Sequence, residues 1–192
     1  MYLFTRQFLE DYAGVGSPLP SSKYVADLIL RQVDFSQLES IVEFGPGTGA
    51  FTEGILERMD VNTLFFCIEK NKEFYGMLVR KYPCIPVYND SADQIGSYLG
   101  RFGLTGVDAI ISSLPWSNFE ESLQARILKE TSDSLNPGGR FITIAYKPWH
   151  MLRKGRRFSK LLHEYFSDVK ETRTVWLNVF PTFAYVCGKD EE

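Results

Sequence analysis

A chain of 192 residues with 44% hydrophobic side chains and a net charge of −3 is long enough for one sizeable core, and its composition excludes a disordered or fibrous protein. The acidic balance excludes a general charge-driven affinity for nucleic acid, while leaving room for a local basic patch. Three cysteines without a Cys-x-x-Cys pair exclude a disulfide framework and a zinc site, and two histidines make any metal centre unexpected.

No apolar run reaches the roughly twenty residues of a membrane span, and the N-terminus lacks the order of a signal peptide. A cytoplasmic protein is expected, either soluble or resting on the inner face of the membrane. No obligate protein partner is evident. Tyr2, Leu3, Phe4, Phe8, Leu9 and Tyr12 are apolar at near-helical spacing. A helix from Ser22 to Gln32 follows, started by the hydroxyls of Pro20-Ser21-Ser22 and carrying Val25, Leu28 and Ile29 on one face. Residues 1–35 are therefore expected to form a helical cap on a core of residues 36–192, all in one domain. The cap either covers a ligand or lies in a headgroup plane.

Ile41, Val42 and Phe44 read as a buried parallel strand that passes through Glu43 into Gly45-Pro46-Gly47-Thr48-Gly49. The glycines let the backbone turn tightly and approach a ligand closely. A helix from Ala50 to Met59 starts at that point. Glu43 disfavours a phosphate beside the loop and favours a cation such as an ammonium or a sulfonium. The strand from Thr63 to Ile68 ends in Glu69-Lys70, and a helix from Lys72 to Lys81 follows. The run Cys84 to Tyr88 ends in Asn89-Asp90-Ser91, ahead of a helix from Ala92 to Leu99. Val107 to Ile111 enters Ser112-Ser113-Leu114-Pro115-Trp116, ahead of a helix from Glu120 to Ser134. A turn at Leu135 to Arg140 precedes the strand Phe141 to Tyr146, then come a basic loop and a helix from Phe158 to Phe166. Glu171 to Leu177 and Phe183 to Cys187 read as two further strands. This alternation predicts an α/β fold with a mostly parallel sheet covered by helices on both faces. Four polar stations stand at the carboxyl ends of strands, where open parallel sheets bind their ligands.

The stretch from Glu43 to Gly49 resembles the first motif of class I S-adenosylmethionine-dependent methyltransferases, and the resemblance continues in order along almost the whole chain. It implies a Rossmann-like, seven-stranded sheet with an antiparallel C-terminal strand, and S-adenosyl-L-methionine as cofactor. The implied cofactor residues are Glu43, Gly45, Pro46, Gly47, Thr48, Gly49, Glu69, Lys70, Asp90, Ser91, Ser113 and Leu114. Among them Glu69 answers to the acid that holds the ribose hydroxyls and Asp90 to the acid near the adenine.

Two acceptor classes share the fourth station. RNA adenine dimethyltransferases carry Asn-Leu-Pro and an aromatic there, and Gln7-Phe8-Leu9 faintly matches their N-terminus. This chain has Ser113 instead of the asparagine, and it stops at Lys189-Asp190-Glu191-Glu192, without their helical domain. Soluble bacterial phospholipid N-methyltransferases are more widely similar. They share Ser17-Pro18-Leu19-Pro20-Ser21-Ser22, Ser112-Ser113-Leu114-Pro115, Tyr146-Lys147-Pro148 and most of Trp176-Leu177-Asn178-Val179-Phe180-Pro181, although consecutive prolines are usual where this chain has Val179-Phe180-Pro181. The resemblance implies N-methylation of an ethanolamine headgroup. By their placement, Tyr146 with Ser113 assisting are the candidates for ordering the amine, Trp116 stands beside it, and Arg153, Arg156 or Arg157 are the candidates for holding the phosphate. From Lys147 to Lys160 the chain holds Lys147, Arg153, Lys154, Arg156, Arg157 and Lys160 and no acid, interleaved with Trp149, Met151, Leu152 and Phe158. Such a segment suits anionic headgroups. An RNA substrate and a cofactor-binding protein without catalysis stand as the alternatives.

Overall fold

The computed structural model describes residues 23–176 and 180–190. The expected N-terminal cap up to residue 22 and the turn through Asn178-Val179 lie outside the described residues. Seven helices are described: α1 (Lys23–Leu30), α2 (Ala50–Leu56), α3 (Lys72–Lys81), α4 (Ile95–Leu99), α5 (Glu121–Asp133), α6 (Lys147–His150) and α7 (Arg153–Tyr165). The strands are β1 (Ser40–Phe44), β2 (Leu64–Ile68), β3 (Val87–Tyr88), β4 (Val107–Ser112), β5 (Leu135–Tyr146), β6 (Asp168–Glu171) and β7 (Thr182–Gly188).

They form one sheet in the order β3-β2-β1-β4-β5-β7-β6. The pairings from β3 through β5 are parallel, and β7 is antiparallel to both β5 and β6. Thus β6 runs with the parallel strands and β7 alone is reversed. Side chains alternate across the sheet and build two cores. Val42, Phe44, Phe141, Phe183 and Tyr185 pack with α4, α5 and α7 on one face. Ile41, Cys67, Ile142, Ile144 and Ala184 pack with α1 and α2 on the other. The expected layered architecture is present, and Cys67 and Cys187 are buried while Cys84 is exposed.

Five features differ from the sequence reading. Helix α2 ends at Leu56, and the predicted helix over Ala92–Leu99 is a 3₁₀ turn, Ala92–Gln94, running into α4. The turn expected before β5 is an excursion within it: Val107 pairs with Leu135 and Ala109 with Arg140, leaving residues 136–139 out of the ladder. The basic stretch is no loop. It forms α6 and the first turn of α7, because Gly155, Phe158, Leu161 and Leu162 supply a buried face at helical spacing. Finally, β6 stops at Glu171 rather than extending to Leu177. The Thr172 hydroxyl accepts the Ala184 N–H at 2.9 Å, and beyond it the described ladder has only the bridge between Val175 and Thr182.

The sheet is clasped at its N-terminal edge. Asp108, at the start of β4, accepts hydrogen bonds from the N–H groups of Glu39 and Ser40, the Ser40 hydroxyl and the Asn136 amide, all within 3.0 Å. Burial alone raises its pKa, but these donors outweigh burial and hold the carboxyl below its ordinary value. Asp108→Ala leaves two backbone donors and an amide without their acceptor, so a loss of about 2 kcal/mol in stability is expected in urea melts. Cofactor affinity is expected to stay unchanged, because the glycine loop lies at the opposite end of β1.

Candidate functional site

The glycine loop leaves β1 with three left-handed residues, Gly45 (φ 65°), Gly47 (φ 58°) and Gly49 (φ 86°). Gly49 N–H donates to the Pro46 carbonyl at 2.8 Å and closes the turn, and Gly49 then serves as the N-cap of α2. Glycine is needed here for space as well as for φ. A Cβ on Gly45 meets Leu114 Cδ2 at 2.9 Å, and one on Gly49 meets the Tyr82 ring at 2.9 Å. The loops after β1 and β4 are therefore in direct contact. Gly45 N–H donates to the Ile68 carbonyl at 2.9 Å, while the Ser113 hydroxyl donates to the Gly45 carbonyl at 2.5 Å. Pro46 is buried and Thr48 half-buried.

The three acids stand differently. Glu69 is 6% exposed at the tip of β2, accepting the Gly47 N–H at 2.9 Å and the Asn71 N–H at 2.8 Å. Burial raises its pKa, and those two amides partly oppose the rise. Each carboxylate oxygen keeps a further lone pair, the capacity a ribose diol needs. Asp90 is half-buried after β3, its carboxylate accepting the Tyr98 hydroxyl at 2.8 Å and the Ser91 N–H at 2.7 Å. Ser91 is half-buried beside it and Lys70 is exposed.

Glu43 is placed otherwise than its expected contact role requires. It is wholly enclosed beneath α2, with the Thr52 hydroxyl donating to Oε2 at 2.6 Å and the Cys67 thiol at 3.7 Å. Its Oε1 has no hydrogen-bond partner among the described residues. Burial pushes its pKa up to about 7 against the Thr52 and Cys67 hydrogen bonds, and the Glu69 charge adds to the rise. Glu43 is therefore tied to α2 through Thr52, behind the loop.

Several supporting residues were not identified from the sequence. The Asn89 amide donates to the Glu69 and Lys70 carbonyls at 2.8 and 3.0 Å, locking the tips of β2 and β3 together. Asn71 caps α3, accepting from Glu73 and Phe74 N–H, and the Tyr82 hydroxyl reaches the Gly49 carbonyl at 3.3 Å. An asparagine two residues after a strand-terminal acid and directly ahead of a helical stretch is a readable cap signal; Tyr82, at the end of α3, carries none.

On the acceptor side, Ser113 and Leu114 border the loop, and Tyr146 ends β5 with its ring 6.4 Å from that of Phe180. Trp116 is not a substrate-facing residue as expected. It is 4% exposed, stacked on Phe158 at 4.7 Å, with its indole N–H donating to Thr143 at 2.7 Å. Pro115 turns the chain back under α5 and α7, and an apolar ring follows the core. Arg157 is likewise engaged, in an ion pair with Glu121 of α5. Arg153 and Arg156 are exposed on α7. Among the described residues no His, Cys, Asp or Glu group is gathered around a metal position.

No model of a known protein family matches the chain. An ornithine lipid N-methyltransferase from Singulisphaera acidiphila is 26% identical over 189 residues, covering 97% of this chain and 94% of that protein. A ribosomal RNA small subunit methyltransferase A from a Hydrogenobaculum species is also 26% identical, but over 60% of this chain and 43% of its own length. The crystal structure of an O-methyltransferase from Bacillus cereus in complex with SAH superposes with a TM-score of 0.73 at 13% identity, covering 97% of this chain and 91% of that one. At that identity the likeness fixes the fold and leaves the acceptor open.

Two predictions follow from the loop. Because Glu43 takes up a proton more readily folded than unfolded, it lowers stability as pH rises from about 4.5 to about 7, by about 3 kcal/mol once both states are ionised. Glu43→Gln should therefore match the parent near pH 4.5 and exceed it at pH 8 in cofactor-free melts; parallel curves at both pH values refute the buried charge. Gly45→Ala introduces a strained φ and a collision with Leu114, so calorimetry should find cofactor affinity lowered by about tenfold or more. Gly100→Ala, with φ −58° and no neighbour within 4 Å, is the neutral control.

Proposed function

We propose that this chain, a class I S-adenosylmethionine-dependent methyltransferase, moves a methyl group to the amine nitrogen of a lipid headgroup. The observation that carries the reading is the similarity to an ornithine lipid N-methyltransferase along nearly the whole of both chains. The ribosomal RNA relative, by contrast, is matched over less than half its length. Ethanolamine of a phospholipid is the expected acceptor, and the ornithine headgroup shares its chemistry, an amine held near the membrane surface.

The cradle fits the cofactor. Backbone at Gly45 and Gly47 has no side chain in the way, Glu69 and Asp90 offer acceptors at successive strand tips, and the clustered carboxylates favour a cationic ligand. Bound there, S-adenosylmethionine supplies an already activated methyl on a sulfonium. The remaining work is to hold the nitrogen in line and to exclude water. The amine must arrive without its extra proton, its lone pair free.

Ser113 donates its proton to Gly45 and so presents its oxygen lone pairs as acceptors for amine N–H groups. The Leu114 carbonyl already accepts the Trp116 N–H at 3.0 Å and keeps a second lone pair for the same purpose. Tyr146 borders the same edge of the sheet from β5 and orders the headgroup. Arg153 and Arg156 offer charge-assisted donors to an anionic phosphate or carboxylate.

Purified protein with methyl-labelled cofactor, given phosphatidylethanolamine vesicles, ornithine lipid vesicles or unmodified ribosomal RNA, separates the readings. Label is expected in one of the lipid extracts. Label confined to RNA overturns the lipid assignment and favours the RNA relative. In the same assay Ser113→Ala is expected to lower kcat by about tenfold to a hundredfold.

A further inference from the structure

We propose that residues Met151 and Leu152, Trp176 and the cationic face of α7 form one docking surface for an anionic lipid bilayer, on the edge of the sheet that carries the cofactor loop. The proposal deepens the lipid reading above and rests on it for the choice of partner.

Among the described residues, three of the five exposed large hydrophobic residues are these: Met151 at 68%, Leu152 at 57% and Trp176 at 73%. The other two are Val61, in the loop before β2, and Val79, on α3. Strand pairing sets the three near one another in the fold. Tyr146, the last residue of β5, pairs with Thr182, which bridges to Val175, so Trp176 belongs to the C-terminal edge beside β5. From the same Tyr146 the chain enters α6. The His150 ring sits edge-on to Phe183 at 5.0 Å, with its Nδ1 2.7 Å from the Tyr185 hydroxyl, so α6 lies over the start of β7. Met151 and Leu152 come next and project into solvent.

Charge completes the surface. Arg153, Lys154, Arg156 and Lys160 are exposed, and none makes an ion pair among the described residues. Lys147 and Arg157 are neutralised, by Glu171 and Glu121, and do not count toward it. Cations also stand at the wrong end of their helix: α7 has no acid in its first turn and no side-chain cap, where the macrodipole favours negative charge. An acidic chain thus concentrates unpaired cations where they oppose their own helix, an arrangement that an anionic surface relieves. RNA also attracts cations, but it has no use for exposed Met and Leu. The headgroup region of a bilayer takes both, together with an indole at the boundary.

The test is co-sedimentation of the full chain with vesicles of phosphatidylcholine alone, or of phosphatidylcholine and phosphatidylglycerol in equal parts. Binding is expected only to the anionic vesicles. Two variants should each lose it by about tenfold or more: Met151→Ser/Leu152→Ser/Trp176→Ser and, separately, Arg153→Glu/Lys154→Glu/Arg156→Glu. Cofactor binding by both reports that they are folded. The apolar variant should still methylate lipid dispersed in detergent micelles at the parent rate while failing on vesicles. Parent-like vesicle binding by both variants, or capture of ribosomal RNA with no capture of anionic vesicles, overturns the surface. Vesicle binding without methyl transfer to any lipid leaves the docking surface standing and removes the lipid-substrate reading, so the two fail separately.

Discussion

Gly45 is the point on which the site depends, because three strand tips meet at one residue without a side chain. Its N–H is held by the end of β2, its carbonyl by Ser113 after β4, and the space where a Cβ would sit is filled by Leu114. The loops after β1 and β4 are therefore mechanically one piece. A displacement of the loop after β4 transmits directly into the glycine turn, and a donor and an acceptor bound on either side keep a common reference. Direct methyl transfer needs such registration, since it proceeds without a covalent tether to the enzyme.

The electrostatic arrangement runs against stability. Glu43 and Glu69 are both buried close to one another, and in each case burial is the main reason that the carboxyl holds its proton more tightly than usual. A sheet built only to fold has no reason to enclose two carboxylates at the tips of adjacent strands. Local costs of this kind collect at working sites. The opposite edge shows the contrast: Asp108 is satisfied by four donors and serves only to bind β1, β4 and β5 together.

Much of this was legible in the sequence because it is written in short-range signals. The run Ile41 to Gly49 announces strand, turn and helix at once, and the acid Glu69 closes a strand whose apolar run is unbroken. What was missed depends on partners far along the chain. Trp116 follows a proline after the fourth strand and reads as substrate-facing, but Thr143 and Phe158, distant in sequence, draw it inside. Arg157 looks like one more cation of a basic run until α5 brings Glu121 against it. The end of β6 rests on a single threonine hydroxyl taking a backbone N–H, a competition that apolar patterning does not register. Enclosure of Glu43 is hidden for the same reason: its alternation parity with Ile41 points it under α2, and only Thr52 on that helix completes the story.

The outer borders of the sheet have a bearing on how the protein behaves in a crowded solution. On one side the border strand is two residues long, Val87–Tyr88, and follows Pro86; on the other it is Asp168–Glu171, polar in three of its four positions. Neither presents a long flat row of free amides for a second chain to zip onto. Self-association through strand addition is thereby discouraged at both flanks.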